Sequence, residues 1–136
     1  MFKLNQGKTK VEFLPVTTST ALAEGALLTF SSGKLVAATS TTATTALVGV
    51  CRKTIASTDS DYATARTIPV EVPVERNTTW EGDVTSGLVV ADIGKDVDLT
   101  DASTVNRAGT SIGAVQVVDV ISTTKGVFRI KFLGSY

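Results

Sequence analysis

The clearest pattern in the chain is a strict alternation of apolar and polar positions over residues 68–75, IPVEVPVE. One face carries only β-branched residues, namely Ile68, Val70, Val72 and Val74. A period of two residues predicts a half-buried β-strand. Because the two prolines on the other face cannot donate hydrogen bonds to a neighbouring strand, the pattern predicts that this strand lies at a sheet edge or is bulged.

Two hairpins are predicted on either side of this strand. In residues 22–39, apolar stretches flank a polar turn in which Gly33 can adopt the positive φ of a tight turn. Near the end of the chain, the apolar run 112–121 and the alternating run 127–133 are separated by a short turn. Between the hairpins, residues 46–55 predict a buried strand, and residues 76–83 predict a turn that holds the only tryptophan.

No segment shows a convincing helical period, and valine and threonine dominate the chain, so we expect an all-β fold. The pattern predicts one small β-barrel or β-sandwich over residues 17–136, preceded by residues 1–16 as a short N-terminal arm or a first strand. There is also an internal echo. Strand-like runs at 35–36, 47–50 and 67–70 are followed by a similar series at 97–99, 112–115 and 128–131. A real repeat would give two similar β halves packed as one barrel or sandwich.

Composition narrows the possible functions. The 136 residues fit one domain, and 13 basic residues balance 13 acidic ones. A net charge of zero provides no long-range field toward nucleic acid or an anionic membrane, and the few aromatic residues are scattered. The sequence shows no signal peptide and no membrane-spanning run, so we expect a soluble protein made in the cytoplasm.

The residues with reactive side chains do not form a catalytic pattern. Histidine is absent, and Cys51 is the only cysteine, so we expect it to be a small buried residue. Residues 109–113 (GTSIG) match the G-x-S-x-G nucleophile motif, and residues 122–125 (STTK) match S-x-x-K. Neither match has the helix or the partner residues that its chemistry requires. We therefore expect a protein that is not an enzyme and needs no cofactor.

Two groups of residues are candidates for binding. Asp96, Asp98 and Asp101 could supply oxygen ligands to a cation, although solvated turn carboxylates are the better interpretation. The other group is a candidate protein interface. It consists of Lys3, Lys8, Lys10 and Trp80. Trp80 is either exposed at an interface or folded back over the end of the barrel.

Several runs resemble the small capsid cement (head decoration) proteins of tailed bacteriophages. They are GALLTFSSGKLVAATSTT, LVGVCRKTI and IPVEV, followed by GKDVDLTD, SIGAVQVVDVI and GVFRIKF, within residues 22–133. The resemblance implies a β-barrel-like or β-tulip domain on the outer capsid surface of the virion. There it would bridge neighbouring major capsid protein subunits and associate with itself, often as a trimer. In that setting, Lys3, Lys8 and Lys10 would help an N-terminal arm grip the shell or a neighbouring copy. Deletion of residues 1–10 would then weaken shell binding and leave the β domain folded.

Two alternatives remain open from the sequence. One is a structural domain of a phage fibre or baseplate, which differs from a cement protein in position and copy number. The other is a carbohydrate-binding β-sandwich module. That module would carry exposed aromatic residues grouped on one face, whereas Tyr62, Trp80 and Tyr136 lie far apart in the chain.

Overall fold

The computed structural model describes residues 1–42, 46–75 and 77–132. In these ranges the regular secondary structure is β-strand apart from 3-10 turns at Ala46 and at Val90–Asp92, which confirms the all-β prediction. The strands are β1 (Lys3–Gln6), β2 (Thr9–Val16), β3 (Leu27–Ser31), β4 (Lys34–Ala37), β5 (Leu47–Cys51), β6 (Arg66–Pro73), β7 (Thr79–Val84), β8 (Asp96–Asp101), β9 (Thr104–Asn106), β10 (Val115–Ser122) and β11 (Lys125–Ile130).

Strands β2 to β6 close into a first barrel in the order β2-β4-β3-β5-β6. Its one parallel pairing joins β2 to β4 at Val16 and Leu35, and its other pairings are antiparallel. The predicted first hairpin is confirmed as β3–β4. Its turn contains Ser32 and Gly33, both with positive φ (52° and 79°).

Strands β7 to β11 form a second ring with the same connectivity. The antiparallel order is β7-β11-β10-β8-β9, and a parallel pairing of β9 with β7 closes it. In both rings the first strand pairs in parallel with the third and antiparallel with the fifth. The internal echo therefore marks a real structural repeat, but it gives two barrels rather than two halves of one. The third members of the echo lie in the equivalent strands β6 and β11. The second members lie in β5 and in a run that reaches β10 only at Val115, whereas the first members lie in the non-equivalent β4 and β8.

One hydrophobic core cluster extends through both barrels, so the molecule is a single domain. Backbone contacts also join them. The Leu27 amide donates to the Ala102 carbonyl at 2.7 Å, and Thr39 forms an isolated bridge with Asp101. The inward-facing positions of the alternating strands supply this core. For example, Ile68 and Val70 of β6 are fully buried.

The prediction that the 68–75 strand lies at an edge or is bulged is wrong, because β6 lies between β2 and β5 and pairs with both without a register shift. The Pro69 carbonyl accepts a hydrogen bond from the Arg52 amide on the β5 side. The amide and carbonyl of a strand residue point to the same side, and this side alternates along the strand. The nitrogens of Pro69 and Pro73 therefore both face β5, which pairs with β6 only at Val50 and Cys51. The long ladder with β2 loses no donor, so the prolines are tolerated.

Residues 1–16 form strands rather than a free arm. β1 pairs antiparallel with β7 of the second barrel, whereas β2 is the first strand of the first barrel. The chain turns between these two strands at Gly7, where φ is 112°. Of the two alternatives for residues 1–16, the structure shows strand and not a free arm. The segment forms two strands, and each belongs to a different barrel.

Candidate functional site

Trp80 lies in the interior, not at the surface. The predicted turn at 76–83 is largely strand β7, which places the Trp80 indole inside with no exposed area. Its ring packs edge-to-face on Phe132, with centroids 5.9 Å apart. Its Nε1 has no hydrogen-bond partner among the described residues. Trp80 is therefore unavailable to a partner and must be removed from the candidate interface.

The three candidate lysines are exposed, and each lies in a paired strand or directly beside one. Lys3 forms an ion pair with Glu81 at 3.4 Å, and Lys10 forms one with Glu12 at 2.7 Å. Lys8 lies between β1 and β2, where its carbonyl accepts a hydrogen bond from the Val74 amide at 3.0 Å. Their side chains can contact a partner, but their positions are set by the barrels and not by a flexible arm.

The first two residues join the barrels. The Phe2 ring is fully buried and lies against Gly82 of β7, where a Cβ would be within 2.6 Å of ring carbons. The Phe2 amide donates to the Gly25 carbonyl at 2.8 Å, and its carbonyl accepts from Arg52 at 3.4 Å. Phe2 therefore contacts the first barrel through its backbone and the second through its ring. Deleting residues 1–10 would remove a core residue and the start of β2, so the structure argues against the expectation that the β domain stays folded without them.

The three candidate cation ligands do not converge. Asp98 accepts hydrogen bonds from the backbone amides of residues 111, 112 and 113 at 2.7–3.0 Å. Asp96 pairs with Lys131 at 3.0 Å, and Asp101 accepts from the Ser103 amide at 2.8 Å. Within the described part of the chain, no three acidic, cysteine or histidine residues are grouped as a metal site. Asp98 instead organises the loop that leads into β10.

The two serine motifs occupy loops and turns. Ser111 lies in the loop held by Asp98, and the element that follows is strand β10 instead of the helix of a nucleophile elbow. Ser122 and Lys125 face each other at the end of the β10–β11 hairpin. The Ser122 hydroxyl accepts the Thr124 amide at 3.3 Å, while the Lys125 amine lies 3.7 Å from Glu81. Both motifs thus have a local structural explanation.

Cys51 is buried at the end of β5, as its sequence context predicts. Burial raises the pKa of its thiol, and the Sγ atom donates to the Lys53 carbonyl at 3.0 Å. Since the thiolate is the reactive form, this environment makes Cys51 a poor nucleophile.

A buried carboxylate rigidifies the segment between β7 and β8. Asp92 accepts hydrogen bonds from Arg107 Nε at 2.7 Å, from the Val89 amide at 3.0 Å and from Lys95 Nζ at 3.1 Å. The hydrogen bond from Arg107, followed by that from the Val89 amide, holds the pKa of Asp92 well below its usual value. A charged, multiply bonded carboxylate fixes the turn at residues 89–95 to the barrel.

That turn presents an exposed apolar surface, which we call the β10 patch. The Leu88 amide donates to the Thr123 carbonyl and the Gly94 amide to the Val117 carbonyl. Residues 89–93 therefore run alongside residues 118–122. The β10 patch consists of Val89, Val90, Ile93 and Ile121, and Val90 is the most exposed at 73%. Sequence analysis missed this patch, although an apolar group bounded by Gly87 and Gly94 was its visible signal.

A second exposed feature is the edge of β2. The amides of Val74 and Thr17 donate to the carbonyls of Lys8 and Leu35, respectively. Even-numbered β2 residues therefore direct their backbone groups to β6, and odd-numbered ones direct them toward β4. However, β4 pairs with β2 only at Val16. Among the described residues, none pairs with the backbone of residues 9–13 on this side, where Val11 and Phe13 are 56% and 68% exposed.

No family model matches this chain, and no curated protein has a significantly similar sequence. In the part of the chain that the structure describes, no helix is long and apolar enough to span a membrane.

Proposed function

We propose that this chain is a structural virion protein that binds the outer surface of an assembled phage capsid and bridges major capsid protein subunits. The β10 patch carries the proposal. It combines several exposed apolar side chains on a turn that Asp92 fixes to a closed barrel. A rigid, exposed apolar patch is typical of a surface that binds another protein. The all-β architecture and the resemblance of residues 22–133 to capsid cement proteins support the same function.

The mechanism is thermodynamic linkage. A protein that binds the assembled shell, and not its free subunits, stabilises the shell by an amount that grows with occupancy. A symmetric shell multiplies modest contacts over many copies. The resemblance further implies a trimer, which would place copies around a three-fold axis of the shell.

Binding to shells tests the proposal. Expanded capsid shells assembled without this protein are mixed with the wild type or with the double variant Val90→Asp/Ile121→Asp, and bound protein is measured by co-sedimentation. We expect the double variant to bind at least about tenfold more weakly, because it places charges in the centre of the apolar contact. Val74→Asp is the matched control, since it also introduces a charge at an exposed valine but lies outside the β10 patch.

The outcomes are distinct. Wild-type protein that does not sediment with shells, or that imaging of virions locates on fibres or the baseplate, overturns the proposal. Equal binding of the wild type and the double variant assigns the contact to another surface and removes the observation that carries the proposal.

The three lysines are tested separately. Deletion of residues 1–10 is unsuitable because it removes Phe2 from the core. We therefore propose replacing Lys3, Lys8 and Lys10 with serine in the full chain. If these side chains contribute to shell binding, the triple variant should bind more weakly and its binding should depend less on salt. Unchanged binding at every salt concentration would remove the three lysines from the interface.

A further inference from the structure

The two barrels differ at one equivalent strand edge. Thr17 follows β2 and donates its amide to the Leu35 carbonyl at 3.1 Å, and Thr85 follows β7 and donates to the Val105 carbonyl at 3.1 Å. Each contact is made with the parallel neighbour of that strand. Aligning Thr17 with Thr85 makes residues 11–13 of β2 equivalent to residues 79–81 of β7.

In the second barrel this edge is covered. β1 pairs antiparallel with residues 79–81, with Lys3 opposite Glu81, Leu4 opposite Trp80 and Gln6 opposite Thr79. In the first barrel, the equivalent residues 11–13 are open on that side within the described chain. The same barrel topology therefore appears once with an added antiparallel strand and once without it.

The open edge is self-complementary. An antiparallel copy of β2 centred on Val11 would place Val11 opposite Val11, and Thr9 opposite Phe13. These odd-numbered residues are the ones whose backbone groups face the open side. They would form the hydrogen-bonded pairs of an antiparallel ladder. Pro15, which lacks an amide, lies beyond the paired residues.

The charges in β2 agree with this register. In the same pairing, Lys10 of each copy lies opposite Glu12 of the other, so that both cross-strand pairs have opposite charges. Charges on a strand edge usually hinder association. Here they oppose slipped registers and favour the one that is centred on Val11.

We propose that the open edge of β2 binds β2 of a second copy of this chain, forming a two-fold dimer centred on Val11. The second copy takes the position that β1 occupies on β7. The exposed Val11 and Phe13 side chains of the two copies then form one apolar strip across the junction. This pairing is two-fold, unlike the three-fold association that the phage resemblance implies, and it does not depend on capsid binding.

Cross-linking tests the register. Directly opposite hydrogen-bonded residues have Cα atoms about 5.5 Å apart, within the range of a disulfide. Under oxidation, Val11→Cys should therefore give a covalent dimer. Phe13→Cys is the matched control, because it is more exposed but lies four residues from its own copy, about 13 Å along the strand. Cys51 is buried and should not contribute.

Charge exchange tests the chemistry. We expect Lys10→Glu to raise the dimer dissociation constant about tenfold or more, since both cross-strand pairs become repulsive. Lys10→Glu/Glu12→Lys should restore it. The dimer dissociation constants of the wild type and the two variants are measured on the isolated full chain by sedimentation equilibrium. Folding is checked by far-UV circular dichroism.

Failure is unambiguous. A monomeric or trimeric wild type, equal cross-linking of the two cysteine variants, or a double variant that stays as weak as Lys10→Glu overturns the proposed pairing. None of these measurements involves capsid shells, so they stand apart from the test of capsid binding.

Discussion

Replacing Phe2 with alanine is predicted to destabilise the protein by about 3 to 5 kcal/mol. The ring is fully buried against Gly82, and the residue also bonds Gly25 and Arg52 of the first barrel. Truncation would leave a cavity between two closed barrels, which cannot easily collapse to fill it. The cost should therefore lie within the range for large buried aromatic residues.

Thermal unfolding measures this cost. For 136 residues the unfolding entropy is about 0.3 kcal/mol per K, so we expect the Tm to fall by about 10 to 17 °C. Fluorescence of Trp80, the only tryptophan, reports on the second barrel, and far-UV circular dichroism reports on both. Because one core runs through both barrels, the two signals should change together. Phe13→Ala is the matched control, and all variants are compared at protein concentrations low enough for the chain to be monomeric. The control removes the same ring from an exposed position and should cost less than about 1 kcal/mol.

A variant at Gly82 tests the contact between this residue and the Phe2 ring. Gly82→Ala places a methyl group where the Phe2 ring lies, so it should also destabilise the protein. In the double variant, the methyl group occupies space that the ring has left. The double variant should therefore lose less stability than the sum of the losses of the two single variants. A Phe2→Ala loss no larger than that of Phe13→Ala, or full additivity with Gly82→Ala, would refute the contact.

Three further predictions concern other buried contacts. Asp98→Ala should cost about 3 kcal/mol in urea unfolding because it leaves three amides without their acceptor, whereas Asp96→Ala should cost under about 1 kcal/mol. Gly49→Ala should cost about 1 to 3 kcal/mol, since its Cβ would lie 2.6 Å from Val70 and 2.7 Å from a backbone oxygen. The pKa of Asp92 is lower in the folded state than its ordinary value of 3.8, so its stabilising effect is present above pH 3.8 and is lost as the pH falls below it. Asp92→Asn should therefore flatten the acid limb of a stability–pH curve, and an unchanged limb would contradict this assignment.

The sequence predicted strands wherever local pattern determines them. Alternation in residues 68–75, the turn at Gly33 and the closing hairpin all depend on side-chain periodicity and short turns, and all three are present. A glycine inside a strand, such as Gly49 in the predicted strand 46–55, is typical of a bulge or of a close backbone approach, and a Cβ there would meet β6. These features are local, so a single sequence can specify them.

The features that differ from the sequence-based predictions depend on contacts between residues far apart in the chain. The two prolines predicted an edge strand or a bulge for β6, but they are tolerated inside the barrel because β5 pairs with β6 at only two residues. Residues 76–83 were predicted as a turn, but Gly82 lies in strand β7 and is small so that Phe2, 80 residues away in the chain, can pack against it. The open edge of β2 depends on the pairing of whole strands, because it follows from comparison with β7, whose equivalent edge is covered by β1.

The division of the first two strands has a consequence for the order of folding. The first barrel uses a continuous stretch, β2 to β6, so all its strands exist before β7 has been synthesised. β1 precedes them but has its partner in β7, and closing so long a loop is slow compared with local pairing. During synthesis, the first barrel can therefore close while β1 is still unpaired and Phe2 is not yet buried. The start of the chain would be the last part of the first half to reach its final position, and its docking would mark completion of the second half.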